Sequence, residues 1–345
     1  MNRLYNLDYL RGLAALGIMI YHYCFFIFGA FAADTILGRV GVYGVSIFYV
    51  LSGLTLYHVY HSKMHPTLKD VGAFFRKRFF RIFPLLWLAT IAAIILSKQV
   101  PDAWKVILNL TGLFGFFRWD GYFATGAWSI GNELVFYVFF PFFILFSKRF
   151  TSLFVILSTI IFGLYMYFAF HVLDGKSPLD KQWHNYVNPL NQVFLFLGGY
   201  TIGLVFEKRQ FNHYLNVLLL VVAILIFVFY PAYGNAISIV TGVSRLVFTS
   251  CCFIVCLSFY KLEFKLPDLF NRPLTFLGEA SYSVYLLHPL VFSFVRISFD
   301  FLDKCDIHIH SIFKLLLSIA ITLVFSYFVY EHFEKFFMKV GKGKK

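Results

Sequence analysis

Charge is what this chain lacks. Only 14% of its 345 residues are Asp, Glu, Lys or Arg, against about 25% in an ordinary soluble domain. Acidic residues are the scarcest, 17 against 30 Lys and Arg. With 60% of residues hydrophobic, this shortage excludes a large soluble globule and leaves a polytopic membrane protein. Cysteine is sparse too. Cys24, Cys251, Cys252, Cys256 and Cys305 include no CxxC pair, so neither a disulfide framework nor a zinc site is expected. Four of them lie in apolar stretches and read as small buried hydrophobes. No basic stretch forms a separate soluble region. The net charge of +13 therefore points to cytoplasmic loops and not to nucleic acid.

What the chain has is long apolar runs. Ten approach the ~20 residues that a bilayer requires. They cover Leu10–Phe31, Val42–His61, Ile82–Ser97, Trp128–Phe146, Leu153–Leu173, Leu190–Phe206, Tyr214–Tyr230, Ala236–Tyr260, Leu274–Ser298 and Ile309–His332. The third is short. Trp104–Phe117 is apolar but broken by Lys105, Gly112 and Gly115, and reads as a re-entrant or interfacial helix. The expected architecture is all-α, a single domain over residues 1–345 with about ten transmembrane helices. The last ~10 residues read as a basic cytoplasmic tail. The start of the chain imitates a signal peptide, with Arg3, an apolar run and Ala30-Phe31-Ala32. That run exceeds the usual 7–15 residues and carries His22, so it reads as an uncleaved first span.

Charge asymmetry orients the bundle. With the N-terminus cytoplasmic, inner segments hold 20 of the 30 Lys and Arg, outer segments nine, and Arg245 sits inside a span. Both termini are then expected in the cytoplasm. Gly199 and Gly203 form a small-xxx-small face for close helix packing.

The polar residues inside this apolar chain are the functional candidates, because such residues are costly in a bilayer. Arg11 and His22 are eleven residues apart. That is three helical turns plus roughly 20°, so both share one face of the first helix, about 16 Å apart along its axis. Arg78 and Arg81, at i and i+3, face the same way at the inner end of the third span. Paired guanidiniums there suit phosphate groups, although a positive-inside run explains part of the cluster. Glu133 is the single carboxylate of the fourth span, about 7 Å past Trp128; Arg245 is its candidate partner. Ser281, Tyr285 and His288 recur at i, i+4 and i+7 on the ninth span, before Pro289. By depth, His22, His288 and Glu133 fall in the outer half of a ~30 Å layer, and Arg11, Arg78 and Arg81 at its inner face. His58, His61 and His65 follow i, i+3, i+7, but no carboxylate or cysteine joins them, and no metal is expected.

These motifs have a collective likeness. Leu7-Asp8-Tyr9-Leu10-Arg11-Gly12 with His22, Phe48-Tyr49-Val50-Leu51-Ser52-Gly53, Arg78-Phe79-Phe80-Arg81 with Pro84, Trp128-Ser129 with Glu133, and Ser281 to Pro289 resemble integral-membrane acyltransferase family 3. Members commonly O-acylate bacterial surface polysaccharides. Two departures stand out. Val45 or Ser46 occupies the place of an acidic residue, and the soluble hydrolase-like domain of some members is absent from the sequence. The resemblance implies a ten-helix core in the bacterial inner membrane. It also implies an acyl-coenzyme A donor, usually acetyl-CoA, and a saccharide acceptor. Under it, Arg11 and His22 are essential, and Arg78 and Arg81 match the Arg-x-x-Arg motif. Glu133 and His288 match other polar motif positions.

On this reading coenzyme A phosphates dock at Arg78, Arg81 and Arg11. The pantetheine arm rises towards His22, which acts as general base or carries the acyl group. Glu133 orients His22 or another acid–base group. Ser281, Tyr285, His288, Arg245 and Trp128 are candidate supporting or acceptor-side residues. The competing readings are a proton-coupled transporter and a non-catalytic partner in glycan assembly.

Overall fold

A computed structural model describes residues 4–262 and 266–343. Arg3, Lys265, Lys344 and Lys345, all counted among the inner charges, lie outside the described residues. Every regular element described is helical. The chain runs through α1 (Tyr5–Phe28), α2 (Ile36–Tyr60), α3 (Leu68–Ser97), the short α4 (Ala103–Thr111) and α5 (Phe114–Phe117), and α6 (Ala127–Arg149). It continues through α7 (Thr151–Tyr167), α8 (Trp183–Tyr186), α9 (Pro189–Phe206), α10 (His213–Phe229) and α11 (Ile237–Val240). The last are α12 (Gly242–Lys261), α13 (Asp268–Glu279), α14 (Ser281–Lys304), α15 (Ser311–Phe328) and α16 (Lys335–Lys342). Among the described residues, nine helices are long and apolar enough to cross a membrane, and α10 is a shorter apolar helix of 17 residues. The chain is a multi-pass, all-α membrane protein.

The boundaries follow local chemistry. Thr35 and Thr67 cap α2 and α3 by accepting from Gly38 N and Asp70 N, at 3.0 and 3.2 Å. Asn188 caps α9, with Pro189 at its first position. Each cap satisfies a backbone N–H that the first helical turn leaves free. Gly29, at φ +94°, ends α1 in a conformation that costs other residues energy. Four expected boundaries shift. The third span is no short helix: α3 starts at Leu68 and takes in the whole arginine run, with Pro84 inside it. The eighth splits at Thr241–Gly242 into α11 and α12, and the ninth at Ala280 into α13 and α14. The last continues past His332 through a wider π-helical turn, Val329–Glu334, into α16. The expected tail is thus largely helical, and Gly341 is buried against Phe80.

Close approaches set the frame. A Cβ on Gly53 would strike the Phe196 carbonyl, and one on Gly199 the Val50 carbonyl, so α2 and α9 touch backbone to backbone. Gly203 packs under the Tyr57 ring. Gly12 and Gly278 bring α1 against α13 in the same way. The N-terminal part of α1, the end of α2, the start of α3 and the end of α16 meet at one end of the bundle. Both described ends of the chain therefore lie on the same side. Outward faces of α7, α10 and α15 carry large exposed apolar side chains such as Ile156, Leu218, Leu225, Val324 and Phe328, as lipid contact requires.

Candidate active site

Between α1, α2, α3, α6 and α14 lies a chamber of about 270 Å³. Arg11, Arg78, Arg81, Glu133, Ser281 and Tyr285 all line it. It thus unites residues drawn from more than 270 positions of chain. Arg11 donates from Nη2 to Thr55 Oγ1 at 3.0 Å and pairs with Asp8 at 3.6 Å, one turn below. Arg78 sits in an aromatic cage, its guanidinium carbon 5.5 to 5.7 Å from the ring centres of Tyr137, Tyr60 and Phe74. Such rings attract a cation through their negative faces. Arg78 Nε is buried without a hydrogen-bond partner among the described residues.

Glu133 does not join the histidines. It accepts hydrogen bonds from Ser52 Oγ at 2.5 Å and from Tyr137 Oη, and it faces the arginine chamber. Arg245 is not its partner either. The Arg245 guanidinium bonds Asn191 through the carbonyl at 3.0 Å and Oδ1 at 2.6 Å, and lies 4.6 Å over the Tyr165 ring. It fastens α12 to α9 and α7. Trp128 is buried, edge-on to Tyr49 and Trp183 and tilted against Tyr186. It stands behind the chamber lining, which α6 supplies through Ser129, Ile130, Glu133 and Tyr137. Burial raises the phenols of Tyr122 and Tyr186 in the neighbouring loops above their ordinary range, so both stay protonated.

His22 and His288 meet across α1 and α14. His22 Nδ1 lies 2.8 Å from His288 Nε2, with the rings stacked at 4.9 Å and 18°. His288 Nδ1 lies 3.1 Å from the Val284 carbonyl. A carbonyl only accepts, so His288 carries its proton on Nδ1 and accepts through Nε2. His22 then donates from Nδ1, and its Nε2 is left with the lone pair. Tyr23 Oη donates to the His288 carbonyl at 2.9 Å, tying α1 to α14 beside the pair.

The histidines lie beyond the chamber lining. Tyr285 links the two: its ring is 5.6 Å from Phe48, which lines the chamber, and 6.1 Å from His288. Tyr285 Oη is held by Ser129 Oγ at 2.8 Å and the Gly126 carbonyl at 3.1 Å. Phe48 also packs against the Met19, Tyr23 and Phe292 cluster. Phe48 and Tyr285 therefore form a partition between arginines and histidines.

Sequence reasoning assigned no site role to Ser52, Thr55 or Tyr137. A signal was present: Phe48, Ser52, Thr55 and Val59 recur at i, i+4, i+7 and i+11, a polar-marked stripe on one helix face. It also stopped short of Glu334, which is 3% exposed and accepts from Ser283 Oγ.

A family model described as an acyltransferase domain matches residues 4–331. No curated protein and no solved structure matches the chain.

Proposed function

The chain belongs to this acyltransferase family, acyltransferase family 3, and on that premise we propose that it moves an acyl group, acetyl in the simplest case, from cytoplasmic acyl-coenzyme A to a saccharide hydroxyl. The membrane is taken as the bacterial inner membrane, and the acceptor as a cell-surface or lipid-linked saccharide. The observation that carries this reading is the arginine chamber beneath the stacked histidine pair. Membership of an acyltransferase family stands against the transport and scaffold readings.

The donor's charged end meets Arg11, Arg78 and Arg81, where guanidiniums match phosphate oxygens. The unpartnered Arg78 Nε fits an anion that completes its hydrogen bonding. A chamber of about 270 Å³ suits a slender arm rather than a whole coenzyme. The ~16 Å rise from Arg11 to His22 is the path of that arm. His22 Nε2 takes the proton of the acceptor hydroxyl as its oxygen attacks the thioester carbonyl carbon. The C–S bond breaks, and the leaving thiolate takes that proton back from His22. His288 orients His22 and stabilises its charged form, the part a third group plays in a nucleophile–base pair. Glu133, held by Ser52 and Tyr137, balances the arginine charge on the donor side.

Purified protein supplied with labelled acetyl-coenzyme A and a hydroxylated acceptor tests the reading. His22→Ala is expected to lower turnover by about 10²–10⁴-fold, the usual contribution of a general base, while still inserting. Full turnover in a well-inserted His22→Ala variant would sink it.

A further inference from the structure

A second cavity opens beside the chamber at the same end of the bundle. It measures about 360 Å³ and shares Arg11, Thr55, Val59 and Arg81 with the chamber. Its own wall adds Asp8, His58, Glu279 and Tyr330. Two of these are already engaged: Asp8 pairs with Arg11 at 3.6 Å, and Glu279 accepts from Tyr330 Oη at 3.2 Å. Arg81 makes no hydrogen bond or ion pair among the described residues. His58 is odder still. Both its ring nitrogens are buried, and neither has a hydrogen-bond partner among the described residues. Its one ring neighbour of note is Tyr260, edge-on at 6.4 Å. Buried nitrogens left unsatisfied cost free energy comparable to a lost hydrogen bond and call for an absent partner.

The position of His58 tells which partner. It stands one turn beyond Thr55, the residue that holds Arg11, and it lines the cavity that Arg11 and Arg81 share. Among the described residues that line it, two arginines against Asp8 and Glu279 leave the formal charge of this vestibule near zero. Bulk attraction therefore does not select a ligand here; directed donors do. His58 supplies one N–H and Arg81 an uncommitted planar fork. Together they suit a phosphomonoester, whose three terminal oxygens can accept from both at once.

We propose that the vestibule is a phosphomonoester subsite in which His58 and Arg81 grip the 3′-phosphate on the ribose of the acyl-CoA donor. The pantetheine arm then runs on into the chamber. This assignment rests on the donor reading above and adds a binding residue, His58, to it. An anionic lipid headgroup carries the same phosphate chemistry and could enter from the same side.

The test compares binding of coenzyme A and 3′-dephospho-coenzyme A to the full chain in zwitterionic nanodiscs, for wild type, His58→Ala and His58→Gln. Wild type should prefer coenzyme A by about tenfold or more, as expected for one hydrogen bond to a charged group. In His58→Ala the preference should fall to about twofold, with dephospho-coenzyme A bound as in wild type. His58→Gln, which retains a donor, should recover part of it. Melting temperatures close to wild type identify variants that fold. Should both variants melt early, Arg81→Gln replaces them and must collapse the same preference. Wild type that binds coenzyme A but does not distinguish the two ligands would overturn the subsite alone. Wild type that binds neither would overturn the donor reading with it. Nanodiscs containing anionic lipid provide the last arm. If they abolish the coenzyme A preference, the subsite belongs to a headgroup, and the assignment to the donor fails.

Discussion

His288 shows how little a residue's type reveals about its task. It is fully buried, its Nδ1 is tied to a carbonyl of its own helix, and its free valence points at His22. Such a residue positions and does not touch substrate. His288→Ala is expected to lower kcat by about 100-fold, at the lower end of a general base's contribution, with KM for the donor nearly unchanged. His288→Gln, whose amide oxygen can accept from His22, should recover part of that loss; equal losses in both variants would mark a packing role. The sequence already displayed His22, Arg11, Arg78, Arg81 and Glu133, because charge stands out against an apolar background. It could not display their pairing. Glu133 and Arg245 looked like natural partners, yet Ser52 and Tyr137 bond Glu133 and Asn191 bonds Arg245. Neutral hydroxyls and amides are common in helices, and nothing in their spacing marks the ones that meet a charge.

At the scale of the element, apolar length predicted the helices well and their ends poorly. The arginine run ending at Arg81 belongs to α3, because Arg76 and Lys77 are exposed and can extend into headgroups and water while Arg78 and Arg81 turn into the chamber, all without a break in the helical backbone. Breaks at Thr241 and Ala280 leave apolar composition untouched, and so hydropathy passes over them. Glycine spacing was the more informative signal. Gly199 and Gly203 announced a close helix pair, and the partner is α2 through Gly53. Gly53→Ala should force α2 off the α9 backbone. We expect a loss of about 1–3 kcal/mol, the cost of overpacking. It should be read as a lower melting temperature in detergent, with Gly72→Ala, whose added carbon meets open space, as the neutral control.

The whole molecule places the two described ends of the chain and its three chamber arginines at the same end, which agrees with the charge bias counted along the sequence. The bundle's gross plan was therefore legible, since ten apolar runs and one sign of loop charge leave few alternatives. The internal division into chamber, partition and histidine pair was not, because it arises where five helices distant in sequence converge. That partition has a consequence for the cell. Under the proposed function, a protein that admits a charged ligand from one face and serves an acceptor deeper in the bilayer is, stripped of Phe48 and Tyr285, close to being a pore. On the proposed donor path the two rings act as electrical insulation and part only when an arm fills the gap. Phe48→Ala is expected to make proteoliposomes leak protons faster than wild type in the absence of donor, followed with an internal pH dye, and added coenzyme A should slow the leak. A membrane enzyme of this plan is thus constrained by the membrane potential as much as by its chemistry.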